Sequence, residues 1–192
     1  CQQRQVLHLI ACRETVFFTG AAGCGKSYLL RTLRQVLLAD DLHISAGSYY
    51  FVAPTGVAAC NIQGITLNSW AGVGLTNKPH EQLLAEISRN KDAVKRWKNT
   101  EILIIDEISM LSAEMFDFLS FVGRRIRGNS RPFGGIQLVM CGDFYQLPPV
   151  GLNSSTIRFC FESDTWKKLF DVSVGIRSMM TDVSHAKGST TS

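Results

Sequence analysis

Three short stretches of the chain carry residue types that together suit phosphate chemistry. The first is Gly20-Ala21-Ala22-Gly23-Cys24-Gly25-Lys26-Ser27, which fits the pattern G-x-x-x-x-G-K-[ST] between an apolar run and a helical pattern. Glycines let a backbone wrap closely around phosphates, and loop amides at a helix N-terminus face the anion. In such a loop Lys26 reaches the β- and γ-phosphates and Ser27 holds Mg²⁺. The second stretch, Ile102-Leu103-Ile104-Ile105-Asp106-Glu107, delivers two carboxylates at the end of an apolar strand. Asp106 is the expected Mg²⁺ partner, through its waters. Glu107 is the expected base that orients and deprotonates the attacking water. The third, Cys141-Gly142-Asp143-Phe144-Tyr145-Gln146-Leu147-Pro148-Pro149, again ends an apolar run in polar groups. There Gln146 either contacts the γ-phosphate or its water, or is a solvated residue of a proline-stiffened loop.

These groups need a frame that brings strand ends to one edge. Four apolar runs, Val16–Thr19, Tyr49–Ala53, Ile102–Ile105 and Gln137–Cys141, show little alternation and are each bounded by turn or polar residues. Little alternation suits parallel strands covered on both faces. Helical patterns separate them. Leu29, Leu30, Leu33, Val36 and Leu37 form one stripe; Leu83, Leu84 and Ile87 mark a second; Ala93, Val94 and Trp97 a third. Ser112 is the expected N-cap of a fourth helix carrying Met115, Leu119, Val122 and Ile126 on one face. Strands alternating with helices predict an α/β fold with a mostly parallel central sheet.

Composition fits a globular domain and excludes several classes. Among 192 residues, 45% are hydrophobic and 19% charged, far from the balance of a disordered chain. The net charge of +4 permits a nucleic-acid partner without requiring one. No apolar run approaches the ~18–20 residues that cross a bilayer, so no membrane partner is expected. Six cysteines occur without a C-x-x-C pair, which reads as small thiols in a reducing, intracellular setting. The chain begins at Cys1 rather than Met and reads as a fragment. Residues 1–170 are expected to form one domain. Residues 171–192 read as a divergent, poorly ordered tail.

The motifs, in their order, resemble the first motor domain of superfamily-one DNA helicases, and within them the Pif-type family, relatives of the RecD helicases. The resemblance rests on the 20–27 loop, Pro54-Thr55-Gly56-Val57-Ala58-Ala59-Cys60, Ile105-Asp106-Glu107-Ile108-Ser109-Met110, Pro132-Phe133-Gly134-Gly135-Ile136-Gln137, and 142–150. It covers about residues 1–170 and implies a RecA-like phosphate-loop NTPase domain that takes ATP and Mg²⁺. It also implies that Lys26, Asp106, Glu107 and Gln146 serve hydrolysis. Gln3 falls where the family recognises adenine. Pro54, Thr55 and Gly56 resemble a DNA-backbone contact, and Thr66, Asn68 and Trp70 lie in a second single-strand-binding stretch. The family usually has His at the place of Asn68. Trp70 is expected either to stack on a base or to belong to the core.

Arg124, Arg125, Arg127 and Arg131 form a basic patch expected either on DNA or the rest of the helicase, or as a solvated face. The family implies a 5′-to-3′ helicase of DNA repair, recombination and telomere maintenance, placed in the nucleus or mitochondrion of a eukaryote. The resemblance implies a second RecA-like domain that supplies arginine fingers; it is expected to be missing from this chain, and Arg177 does not stand at the matching place. A nucleotide- or DNA-binding fragment without unwinding is therefore the alternative reading. An unrelated loop NTPase such as a nucleotide kinase is the other, against which Gln146 and the Pro54-Thr55-Gly56 turn argue.

Overall fold

The computed structural model describes residues 2–21, 23–39, 44–45, 47–74, 78–145, 158–170 and 179–182. Six strands form one sheet: β1 (Val16–Thr19), β2 (Tyr49–Ala53), β3 (Ile65–Thr66), β4 (Ile102–Ile105), β5 (Gln137–Cys141) and β6 (Met179–Asp182). Their order is β3-β2-β4-β5-β1-β6, and every pairing among them is parallel. The four strands expected from the sequence are the four longest of the central run, with the same bounds. The two-residue β3 and the edge strand β6 are additions. β6 falls at 179–182, inside the stretch that reads as a tail, and it pairs with β1 from Val16↔Met179 to Thr19↔Asp182.

Eight α-helices accompany the sheet among the described residues: α1 (Gln2–Ala11), α2 (Lys26–Leu38), α3 (Gly56–Asn61), α4 (Leu67–Ala71), α5 (His80–Arg89), α6 (Lys91–Asn99), α7 (Ala113–Arg127) and α8 (Asp164–Phe170). Ser112 caps α7 as expected, its hydroxyl accepting from the Met115 amide at 3.2 Å.

Successive strand side chains point to opposite faces, and both faces are covered. Val16, Phe18, Phe51, Ala53, Ile102, Ile104, Val139 and Cys141 pack against α1, α2 and α3. Phe17, Val52, Leu103, Ile105, Leu138 and Met140 pack against α4 to α8. β4 and β5 are buried along their whole lengths. This double burial is why the sequence shows runs rather than alternation there.

Two polar side chains tie the layers together at places the hydrophobic pattern does not mark. Gln137, buried at the start of β5, donates through Nε2 to the carbonyls of Ile10 (3.0 Å) and Glu14 (2.7 Å), fastening the end of α1 to the sheet. Arg127, at the end of α7, donates to the carbonyls of Trp97 (2.6 Å), Lys98 (2.9 Å), Thr100 (2.9 Å) and Gly134 (2.8 Å). Of the expected basic patch, Arg127 is thus a clamp on the C-terminal carbonyls of α6. Arg124, Arg125 and Arg131 are exposed.

Candidate nucleotide and nucleic-acid site

Because all strands run in parallel, their carboxyl ends share one edge, where ligands of open α/β sheets bind. The loop 20–27 leaves β1 there. Pro54 and Thr55 leave β2, Asp106 and Glu107 leave β4, and Gly142 and Asp143 leave β5. β5 lies between β1 and β4, so the phosphate-type loop and the acid pair stand one strand apart.

Gly25 caps α2 with φ 99°, a left-handed conformation that disfavours side chains. A Cβ at Gly25 would also lie 3.1 Å from Nε2 of Gln3. Gln3 therefore sits beside the loop. Lys26 donates from Nζ to the carbonyl of Gly20 and, at 3.3 Å, to that of Ala21. Its ammonium is held over its own loop. Ser27 is exposed at the first turn of α2, Gly23 is exposed, and Cys24 is half-buried. Ala22 lies outside the described residues.

Asp106 is buried at 9% exposure, and its Oδ1 accepts the Glu107 amide at 2.9 Å. Burial pushes its carboxyl above the ordinary range, while the Glu107 amide, the Cys141 thiol and the charge of Lys26 pull it back. Glu107 is pushed up too, first by burial and then by the charge of Asp106; Lys26 counters, and Asp143 adds to the rise. Lys26 thus acts on both acids, and the three groups share one electrostatic neighbourhood. Glu107 also adopts φ 51°, ψ 43°. Left-handed backbone at a non-glycine residue costs about 1–2 kcal/mol, and it turns Glu107 out of the line of β4. Sequence inspection offers no signal for this strain.

The donor set around the acids fits a hard cation. A buried carboxylate with an elevated pKa gains from a nearby positive charge, and Ser27 with Asp106 offers oxygen donors of the kind Mg²⁺ accepts alongside phosphates and water. Among the described residues no three His, Cys, Asp or Glu side chains group to hold a metal by themselves. Five cysteines, Cys12, Cys24, Cys60, Cys141 and Cys160, are free thiols. Gln146 lies outside the described residues. Just before it, Asp143 is buried and accepts the Tyr145 amide at 3.0 Å, which makes the turn leaving β5.

The residues singled out by resemblance to a DNA-binding surface separate into two groups. Pro54, Thr55, Leu67 and Asn68 line a cleft of about 540 Å³ with Met115 and Phe118 at its side. Asn68 and Gly56 are exposed beside it. Thr55 and Thr66 each serve as a helix cap. The Thr55 hydroxyl accepts from Ala58 N–H at 3.2 Å, and that of Thr66 from Ser69 N–H at 3.2 Å. Trp70 does not belong to this surface. It is fully buried, with its ring centroid 4.3 Å from that of Trp97 and 6.5 Å from that of Tyr50. The expectation that Trp70 stacks on a base is corrected by this burial; the apolar pull of the α4–α6 interface claims the indole.

A parallel sheet with a glycine-rich loop and a strand-end acid pair at one edge defines a RecA-like nucleotide-binding domain. A family model described as "PIF1-like helicase" matches residues 1–189, and the chain belongs to this family. The ATP-dependent DNA helicase RRM3 of Saccharomyces cerevisiae is 46% identical over 170 residues, covering 87% of this chain and 23% of that protein. The crystal structure of Pif1 helicase from Candida albicans superposes with a TM-score of 0.83 at 44% identity, over 94% of this chain and 38% of that one. Two Bacteroides Pif1 structures, one bound to ssDNA and one in complex with ADP-AlF4, give TM-scores of 0.71 and 0.74 at 28% and 27% identity. They cover 95% and 98% of this chain, and 41% and 42% of theirs. The chain thus spans about a quarter of the length of the yeast relative.

Proposed function

We propose that this chain is the ATP-binding motor domain of a 5′-to-3′ DNA helicase. One observation carries the reading: the 20–27 loop leaves β1 and the Asp106–Glu107 pair leaves β4 at the same carboxyl edge of the sheet, with only β5 between them. That arrangement suits a magnesium nucleotide. Lys26 would leave the Gly20 and Ala21 carbonyls for the β- and γ-phosphates. Ser27 and Asp106 would hold the Mg²⁺, which neutralises phosphate charge when bound. Glu107 would take the proton of the attacking water, and Gln146 would sense the γ-phosphate. Gln3, beside Gly25, would read the adenine. That relatives carry the name ATP-dependent DNA helicase, and that one was crystallised with ADP-AlF4, supports the choice of nucleotide.

Single-stranded DNA would cross the cleft at Pro54, Thr55, Gly56 and Asn68, with Thr66 beside it. The amides opening α3 face a phosphate well, and a Bacteroides relative is crystallised with ssDNA. Stepping along a strand needs a second domain to close on the nucleotide. Among the described residues Lys26 is the cation that acts on the acid pair, so hydrolysis by this chain alone is expected to be slow. The finer roles, in repair, recombination and telomere maintenance in the nucleus or mitochondrion, follow from the same family reading.

The test is calorimetric titration of the chain with Mg·ATP, and anisotropy with a fluorescent oligothymidylate. Binding of both, with ATP binding lost in Lys26→Ala and DNA binding retained there, is the expected result. ATP binding indifferent to Lys26→Ala overturns the proposal.

A further inference from the structure

The acid that would face magnesium has a neighbour on the next strand that hydrolysis schemes leave out. β4 and β5 pair as Ile104↔Val139 and Ile105↔Met140, so one step further along the ladder Asp106 stands beside Cys141. β1 and β5 pair as Phe18↔Cys141. Cys141 therefore lies between the strand that ends in the nucleotide loop and the strand that ends in the acids. It belongs to the sheet face covered by α2, together with Phe18, Leu29 and Ile104. Its thiol is fully buried and free.

We propose that the Cys141 thiol is a positioning residue: its S–H donates to the Asp106 carboxylate from the neighbouring strand and aims that carboxylate at the nucleotide's metal. This rests on the reading of Asp106 as the magnesium-facing acid. The Glu107 amide holds Oδ1 from one side. Without a second restraint the carboxylate can rotate about that bond. The thiol of Cys141, buried one strand over, supplies that restraint.

A weak donor suits the task. S–H is a donor weak enough to orient the carboxylate without neutralising it, and a serine hydroxyl in the same place keeps a donor for the same restraint, whereas an ammonium would compete with a cation. Partners that orient a ligating carboxylate commonly govern about 10–100-fold in metal affinity or activity.

The experiment has two readouts, both on this chain. Free Mn²⁺ is followed by electron paramagnetic resonance during titration in the presence of ADP, for the wild type, Cys141→Ala and Cys141→Ser. The infrared S–H stretch of the metal-free protein is recorded for the wild type and Asp106→Asn, with the band assigned by its loss in Cys141→Ser. Cys141→Ala should weaken Mn²⁺ retention by about tenfold, Cys141→Ser should stay close to wild type, and the band should shift in Asp106→Asn. An alanine variant that titrates as wild type, or a band unmoved by Asp106→Asn, overturns the inference alone. A wild-type chain that retains no Mn²⁺ with ADP overturns the nucleotide reading, and this one with it. Should the alanine variant fail to fold, the serine variant and the infrared shift decide: a serine variant far weaker than wild type, or an unmoved band, counts against it.

Discussion

The indoles of Trp70 and Trp97 pack against each other with ring centroids 4.3 Å apart, and each is closed off from solvent. Trp97 Nε1 donates to the carbonyl of Ala71 at 3.0 Å, while Arg96 donates to the carbonyls of Trp70 (2.8 Å) and Ser69 (2.9 Å). α6 therefore holds the C-terminal end of α4 by three hydrogen bonds as well as by ring contact, next to the Thr66 and Asn68 surface.

Trp70→Ala should destabilise the fold by about 3–5 kcal/mol, the usual cost of removing a buried large aromatic. Trp70→Phe should keep most of that packing. The decisive comparison is oligothymidylate affinity of folded Trp70→Phe against the wild type. Equal affinity is expected, because the ring never reaches the surface. A selective loss of DNA binding without loss of stability would restore a stacking role.

The four arginines between 124 and 131 should divide by what they touch. Arg127→Ala removes the donor from three half-buried carbonyls and the exposed one of Lys98, and a buried polar group stripped of its partner costs about 1–3 kcal/mol, less where water can reach it, and non-additively. A loss of at least about 2 kcal/mol in urea unfolding is the expected result. Arg124→Ala and Arg125→Ala, on exposed side chains, should stay within about 0.5 kcal/mol. Stability equal among all three variants would mean that the clamp is idle.

Much of this could be read from residues close together in the chain. The β4 and β5 runs are apolar because both faces of the strands are covered, so their bounds are legible. The loop 20–27 is a local pattern, and so is the acid pair. Roles set by through-space neighbours are not legible in the same way. Nothing near Arg127 in the sequence tells of Trp97, Lys98 and Thr100, and Cys141 reads as one more apolar strand residue. Trp70 at helical spacing suits a core more often than a stacking platform, and only its neighbours decide. The two-residue β3 is too short for a pattern to show, and Met-Met-Thr-Asp at 179–182 lacks the uninterrupted apolar run that marks β4.

A second close approach makes a counterintuitive prediction. Gly123 lies inside α7, where alanine is the better helix former by about 1 kcal/mol. A Cβ there would sit 2.7 Å from the carbonyl carbon and oxygen of Phe133, and one at Gly134 would sit 2.4 Å from the carbonyl oxygen of Gly123. The two glycines let the 132–135 turn press onto the helix backbone, with Phe133 at φ 51° and its amide donating to Ser120 Oγ at 3.2 Å. Gly123→Ala should therefore destabilise by about 1–3 kcal/mol, as overpacking does. A variant with a higher Tm than wild type would show that the contact yields easily.

The acid pair sets function against stability, and the direction can be worked out. Burial raises the carboxyl pKa of Asp106 and Glu107 above their ordinary values of 3.8 and 4.5. The folded state then holds these protons more tightly than the unfolded chain does. As pH climbs from those ordinary values through the raised ones, the folded state retains protons that the unfolded state has released. Over that window the pair's contribution to stability falls, and above it the ionised pair is a standing cost. Asp106→Asn removes one charge and its push on Glu107. Measured without nucleotide at neutral pH, it should raise stability by about 0.5–2 kcal/mol, the size common among single stabilising substitutions. That corresponds to a Tm increase of a few degrees. The gain should vanish in acid, where both acids are protonated in either state, and reverse in relative terms when Mg·ADP is added, since the variant has no carboxylate to hold the cation. A Tm for Asp106→Asn below that of the wild type across the whole pH range would mean that the Asp106 carboxylate stabilises the fold, contrary to the electrostatics of its burial.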